Sequence, residues 1–225
     1  MTDIQRPREP MFNFTEKAPA YLAGIFIVVH VISSFLPNSL NAVLSQFGVL
    51  RPLGSPSTDA LSHGISLVGH GFLHGGWGHV ILNSGMTIVF GIAAIRGAKV
   101  LAAQRGKASN ASRDFLAVFF AGVIIGGLFQ WGWWAVINAQ LTMTGAVGAS
   151  GGASALFAAG AWAIGGKEKM LQFGFGWAMI NLIMVLLENF IGMSIAWPAH
   201  IGGYIAGMIL APYLIKASST QLSML

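Results

Sequence analysis

The sequence predicts an all-α membrane protein, a bundle of six transmembrane helices with both termini on the cytoplasmic side. Three observations carry that prediction. Only 8% of the 225 residues are charged and 55% are hydrophobic, against roughly 25% charged residues in an ordinary soluble domain. Apolar runs of about 18 residues or more recur along the chain, each long enough to cross ~30 Å of hydrocarbon as a helix. The lysines and arginines gather in alternate connections between those runs, the pattern that orients a helical membrane protein.

The expected spans are about Ala18–Leu36, Gly78–Ile95, Asp114–Ile137, Gly145–Ile164, Leu171–Met193 and Ala196–Ile215,. The first run is too long for a removable secretion signal and has no clear small-residue cleavage site behind it, so it is read as a span. With an inside N-terminus, the inside segments hold Arg6, Arg8, Lys17, Arg96, Lys99, Arg105, Lys107, Arg113, Lys167, Lys169 and Lys216, and Arg51 alone lies outside. That eleven-to-one split fixes the expected orientation, because the bias counts over short loops beside the spans,. Residues 1–17 and 217–225 are then cytoplasmic tails on a membrane domain of residues 18–216.

The first outside loop, Pro37 to Ile65, contains Pro37, Pro52 and Pro56 and cannot be one continuous helix,. Within it Leu40, Val43, Leu44 and Phe47 recur at helical spacing, which predicts a short helix lying in the membrane interface,. Lys99 to Arg113 is small, polar and basic, and reads as a cytoplasmic linker,.

Composition also narrows the chemistry. The absence of cysteine removes disulfides, a thiol nucleophile and the soft ligands of most structural zinc sites,. No cofactor or metal is expected. The net charge of +5 is accounted for by topology, so nucleic acid is not expected as a partner,. The lipid bilayer is. Oligomeric state is not legible.

Polar groups inside a bilayer are expensive, so each one needs a reason. Three groups stand out. Gly148-Ala149-Ser150-Gly151 begins the fourth span, where unpaired backbone N–H groups and the helix dipole favour a developing oxyanion beside a hydroxyl,. The bland alternative is a small-residue packing face made by Gly148, Gly151, Gly152, Ala155 and Ala159. Ala199-His200-Ile201-Gly202-Gly203, with Gly207 four residues on, puts a histidine on a helix whose glycines permit close approach to a neighbour,. A histidine hydrogen-bonded between helices is the alternative there. His79 and Asn83 stack on one helix face and present hydrogen-bond donors in one direction, which suits an oxyanion hole,. A metal site at His70, His74 and His79 is the rival, weakened by the lack of a nearby acidic residue,.

Under the charge-derived orientation, Ser150, His200 and the His79/Asn83 pair all lie in the first turns of helices entering from the outer face. One water-accessible pocket at that depth would serve all three. The few acidic residues sit in loops, tails or near span ends, so a Ser-His dyad is expected in preference to a triad, with Glu188 the only candidate third member,.

Taken together, in order and spacing, these motifs resemble the rhomboid intramembrane serine proteases. The resemblance covers nearly the whole chain: six spans, a long first loop, His74-x₄-His79-x₃-Asn83, Gly148-x-Ser150-Gly151 and Ala199-His200-x-x-Gly203. The stretch from Gly192 to His200 is similar to the bacterial members. The resemblance implies an endopeptidase that cleaves transmembrane segments of other membrane proteins, with Ser150 as nucleophile and His200 as general base and acid. It implies His79, Asn83 and the Ser150 backbone N–H as the oxyanion site, and His74 as a structural or hydrating residue at the cavity mouth. It also points to a bacterial inner membrane, with the site opening outward. Two departures stand out: Ser154 where many relatives carry a tyrosine packed on the histidine, and a first loop without an obvious Trp-Arg pair. Gating is left between the first loop and the fifth span, which bears Phe173, Phe175 and Trp177. The competing readings are a catalytically inactive relative that binds transmembrane helices, and a small transporter with polar groups spread across the bilayer.

Overall fold

The structure, a computed structural model, describes residues 16–56, 58–139, 145–191 and 194–216. The expected tails therefore lie outside the described residues, apart from Glu16 and Lys17, as does Met193 at the expected end of the fifth span. The described chain is helical: α1 (Lys17–Phe35), α2 (Asn38–Gly48), α3 (Ala60–Gly69), α4 (Trp77–Gln104), α5 (Ala111–Val136), α6 (Ser150–Leu186), α7 (Glu188–Ile191) and α8 (Trp197–Leu214). α1, α4, α5 and α6 are each long and apolar enough to cross a membrane. Their flanks leave Val136 73%, Phe175 73% and Phe35 84% exposed. Water would not tolerate so much apolar surface, whereas lipid requires it.

Several boundaries differ from the expected ones, each for a local reason. α4 runs nine residues past Ile95 into the stretch read as linker. Lys99 forms an ion pair there with Glu16, and Val100-Leu101-Ala102-Ala103 are good helix formers. The helix stops at Gly106, which adopts φ 63°. Gly106 N–H donates to the Ala103 carbonyl and Lys107 N–H to that of Ala102, at 3.1 and 3.0 Å, a Schellman stop that only glycine makes without strain.

α6 merges the expected fourth and fifth spans. Thirty-seven residues of straight helix would measure ~55 Å, far beyond a ~30 Å hydrocarbon layer,. The helix is broken instead at Gly165 and Gly166, whose φ values are −157° and 63°. The first half also begins at Ser150, not Gly145, because Ala146 is drawn out to bridge Leu50: their backbones exchange bonds of 2.8 and 3.0 Å. The second half ends at Leu186, short of the expected end.

In the loop after α1 the expected short helix forms as α2, with Leu40 and Val43 exposed. Asp59 then caps α3, accepting from Ser62 N–H while its own N–H donates to Ser62 Oγ. The Ser62 N–H bond holds the Asp59 carboxyl below the usual carboxylate range. The loop is braced without a Trp-Arg side-chain pair. Arg51 Nη1 donates to the Ser45 carbonyl at 2.7 Å, and Trp131 Nε1 of α5 donates to the Arg51 carbonyl at 2.9 Å.

The core is the meeting of α5, α8 and the first half of α6. Gly151, Gly152, Ala153, Ser154, Ala155, Ala158 and Ala159 are all buried, so the first turns of this half-helix are enclosed by their neighbours. Its small side chains let the neighbours approach to backbone contact.

Candidate functional site

Ser150 is the first residue of α6 and half-buried. Its N-cap, Ala149, has no side chain able to cap, and the first intrahelical bond runs from Ala153 N–H to the Ala149 carbonyl at 2.9 Å. The N–H groups of the first turn thus have no partner within the helix and carry its positive dipole end. Just before it, Gly148 turns the chain with φ 127° and donates its N–H to the His70 carbonyl at 2.8 Å.

The glycine seam joins this turn to α8. A methyl carbon at Gly203 would overlap the carbonyl oxygen of Gly151, and one at Gly207 that of Ala155. A methyl carbon at Gly126 of α5 would lie 2.6 Å from the Ala199 carbonyl oxygen. The backbone of the Ser150 turn is therefore in contact with the first turns of α8, where His200 is the fourth residue. The expected small-residue face is present, and it runs between the helices that carry Ser150 and His200.

His200 is 8% exposed. Its Nδ1 lies 2.6 Å from Oδ1 of Asn181, in the second half of α6. The Trp177 ring, one turn earlier, lies 5.7 Å from the imidazole, tilted by 34°. Ser154 does not reach His200; its hydroxyl donates to the Ser150 carbonyl at 2.7 Å. The ring packed on the imidazole is that of Trp177.

His79 and Asn83 approach from α4. A methyl at Gly148 would sit 2.6 Å from His79 Nε2 and 3.5 Å from Asn83 Nδ2, so both nitrogens adjoin the turn that leads into Ser150. Gly75 N–H donates to His79 Nδ1 at 3.4 Å. An accepting Nδ1 puts the proton of the neutral ring on Nε2, making it a donor beside Gly148. Asn83 is 2% exposed and its amide N–H also reaches the His79 carbonyl at 3.1 Å.

His74 sits in the loop before α4, its ring 5.5 Å from Phe26 and 5.2 Å from His79. Among the described residues neither of its ring nitrogens has a close hydrogen-bond partner. Burial, together with His79 and His30, pushes its pKa from the usual 6.5 down to about 4. His70 turns the other way: its Nδ1–H donates to the Ser66 carbonyl at 2.9 Å, and burial lowers its pKa. Among the described residues no three histidine or acidic side chains are grouped to hold a metal ion.

Glu188, the candidate third member, accepts from the Ile195 backbone N–H at 2.5 Å and fastens the turn before α8. The partner of His200 is an amide that a search restricted to acidic residues misses. The signal was available: Asn181 is a polar side chain amid an apolar span, which by default marks a functional position.

A family model described as the Rhomboid domain matches residues 61–217, more than two-thirds of the chain. No curated protein matches the chain significantly.

Proposed function

Because the chain belongs to the rhomboid family of multi-pass membrane proteins, we propose that it is an intramembrane serine endopeptidase working by a Ser150–His200 dyad. The observation that carries this reading is the glycine seam, which leaves no side chain between the Ser150 turn of α6 and the His200 turn of α8. Six spans are proposed, α6 contributing two across its glycine break, with both termini inside and the site opening to the outer face of a bacterial inner membrane.

A transmembrane segment of another protein unwinds near the outer face, since an intact helix would shield its carbonyls from attack. Ser150 Oγ adds to the scissile carbonyl carbon as His200 Nε2 takes its proton, giving a tetrahedral oxyanion. His79 Nε2–H, Asn83 Nδ2–H and the N–H groups of the first α6 turn stabilise that charge. His200 then protonates the leaving amine as the C–N bond breaks. Water attacks the acyl-enzyme with His200 as base, and the carboxylate product leaves with Ser150 restored.

The inactive-relative reading gives no reason for His200 to be buried and held by Asn181 and Trp177. A fluorophosphonate probe tests the matter: wild type in detergent is expected to be labelled, and Ser150→Ala and His200→Ala are not. The same contrast is expected for cleavage of a single-span substrate. A folded wild type that neither labels nor cleaves would overturn the proposal.

A further inference from the structure

Among the buried polar groups that the catalytic reading leaves without a role is Asn181, 2% exposed in the apolar stretch 173–186 of α6. Its two amide atoms have distinct partners. Nδ2 lies 2.8 Å from the Trp177 carbonyl oxygen, which can only accept, so the NH₂ must face it. Oδ1 therefore faces His200 Nδ1 at 2.6 Å, and that ring nitrogen must carry the hydrogen. In a neutral imidazole the other nitrogen, Nε2, is then the bare base. A base can accept a serine proton only through such a lone pair, and only with its ring held toward the hydroxyl.

We propose that Asn181 is the positioning residue of this site, fixing both the tautomer and the rotation of His200 in a Ser-His-Asn arrangement. The inference rests on the dyad reading. Two further observations support it. Ser154, one turn beyond Ser150, spends its hydroxyl on its own helix, so α6 before the break supplies no orienting group there. Trp177, whose carbonyl anchors the Asn181 amide, also lays its ring against the imidazole. One turn of the second half of α6 thus supplies both the hydrogen bond and the ring contact that restrain His200. The two halves divide the work: the first bears the nucleophile, the second steers the base.

A residue that acts through His200 should change the turnover step and leave binding almost unaltered. Asn181→Leu keeps the size and removes the acceptor. It is expected to lower kcat, and the rate of fluorophosphonate labelling, roughly ten- to a hundredfold, with KM for a single-span substrate little changed. Asn181→Asp restores an acceptor oxygen and is expected to recover most of the rate. Wild-type kinetics in Asn181→Leu would overturn the proposal while leaving the dyad intact. Equal losses in both variants would reduce Asn181 to a packing residue and likewise overturn it. If Asn181→Leu fails to fold, ¹⁵N spectra of the wild-type imidazoles decide: His200 is expected with hydrogen on Nδ1 and none on Nε2, and the reverse would end the proposal. A wild type without activity would instead remove the protease reading itself.

Discussion

The carbonyl oxygen of Gly151 in α6 faces the bare Cα of Gly203 in α8 so closely that no methyl group fits between them. Backbone, unlike a flexible side chain, cannot step aside, and α6 here is enclosed by its neighbours. Gly203→Ala and Gly207→Ala are each expected to destabilise the bundle by about 1–3 kcal/mol and to lower activity further by parting Ser150 from His200. Gly85→Ala and Gly132→Ala, where an added methyl meets nothing within 4 Å, serve as controls. Thermal unfolding in detergent, read beside the labelling rate, checks the contrast.

His79 and Asn83 are proposed to act on charge that exists only in the transition state. Losing one donor from such a site costs roughly 10²–10³ in kcat. Asn83→Ala is expected to fall in that range with KM nearly unchanged. Gly148→Ala should be as damaging for a different reason, since its added methyl would meet His79 Nε2 on a backbone of φ 127°. Steady-state cleavage of a single-span substrate separates kcat from KM.

How much of this was legible in the residues follows from what kind of information each feature needs. The positions of the four long apolar helices follow from hydropathy, and Ser150, His200, His79 and Asn83 are marked by the cost of polar groups in lipid. The family match over residues 61–217 agrees with the resemblance those motifs carry. The ends of the spans were less legible. Where α4 stops depends on Gly106 taking a positive φ, and where the fourth span begins depends on Ala146 pairing with Leu50, nearly a hundred residues earlier. Asn181 was missed because its role depends on a contact 19 residues along the chain and across a helix interface. Sequence spacing does not encode that distance. The same holds for Trp177, on the expected gating span, whose ring lies against that of His200.

Glu188 offers a clean separation between bracing and catalysis. Its carboxylate accepts the Ile195 N–H and does not meet His200. Glu188→Gln keeps an acceptor oxygen and is expected to label at close to the wild-type rate. Glu188→Ala leaves that N–H without its partner and should speed hydrogen exchange at Ile195, with a several-fold loss of activity as the start of α8 loosens. Hydrogen-exchange mass spectrometry reads the first effect and labelling the second.

His74 predicts a pH dependence of stability. Its pKa is held at about 4 in the folded protein, against 6.5 when free. Between those values the unfolded chain binds the proton and the folded one does not, so stability falls as the pH is lowered through that window. Above about 6.5 the penalty vanishes. His74→Phe removes the titrating group and preserves a ring against Phe26. The unfolding temperature of the variant minus that of the wild type is expected to grow as pH drops from 6.5 to 4; a constant difference would contradict the assignment to His74.

The orientation rests on where the lysines and arginines lie, and the chain's lack of cysteine makes it open to direct measurement. Leu53, in the loop between α2 and α3, is 55% exposed. Ser109, in the connection between α4 and α5, is exposed as well. Neither substitution to cysteine alters the charge bias that sets topology. In cells whose inner membrane is intact, Leu53→Cys is expected to react with an impermeant maleimide and Ser109→Cys only after permeabilisation. The first turns of α4 and α6 lie at the end of the bundle near Leu53: Gly148 bonds to His70 beyond α3, and Leu50 pairs with Ala146. The side on which Leu53 reacts therefore also reports the side on which Ser150 begins its helix. Labelling of Ser109→Cys in intact cells would place the site on the cytoplasmic face and reverse the direction from which a substrate enters.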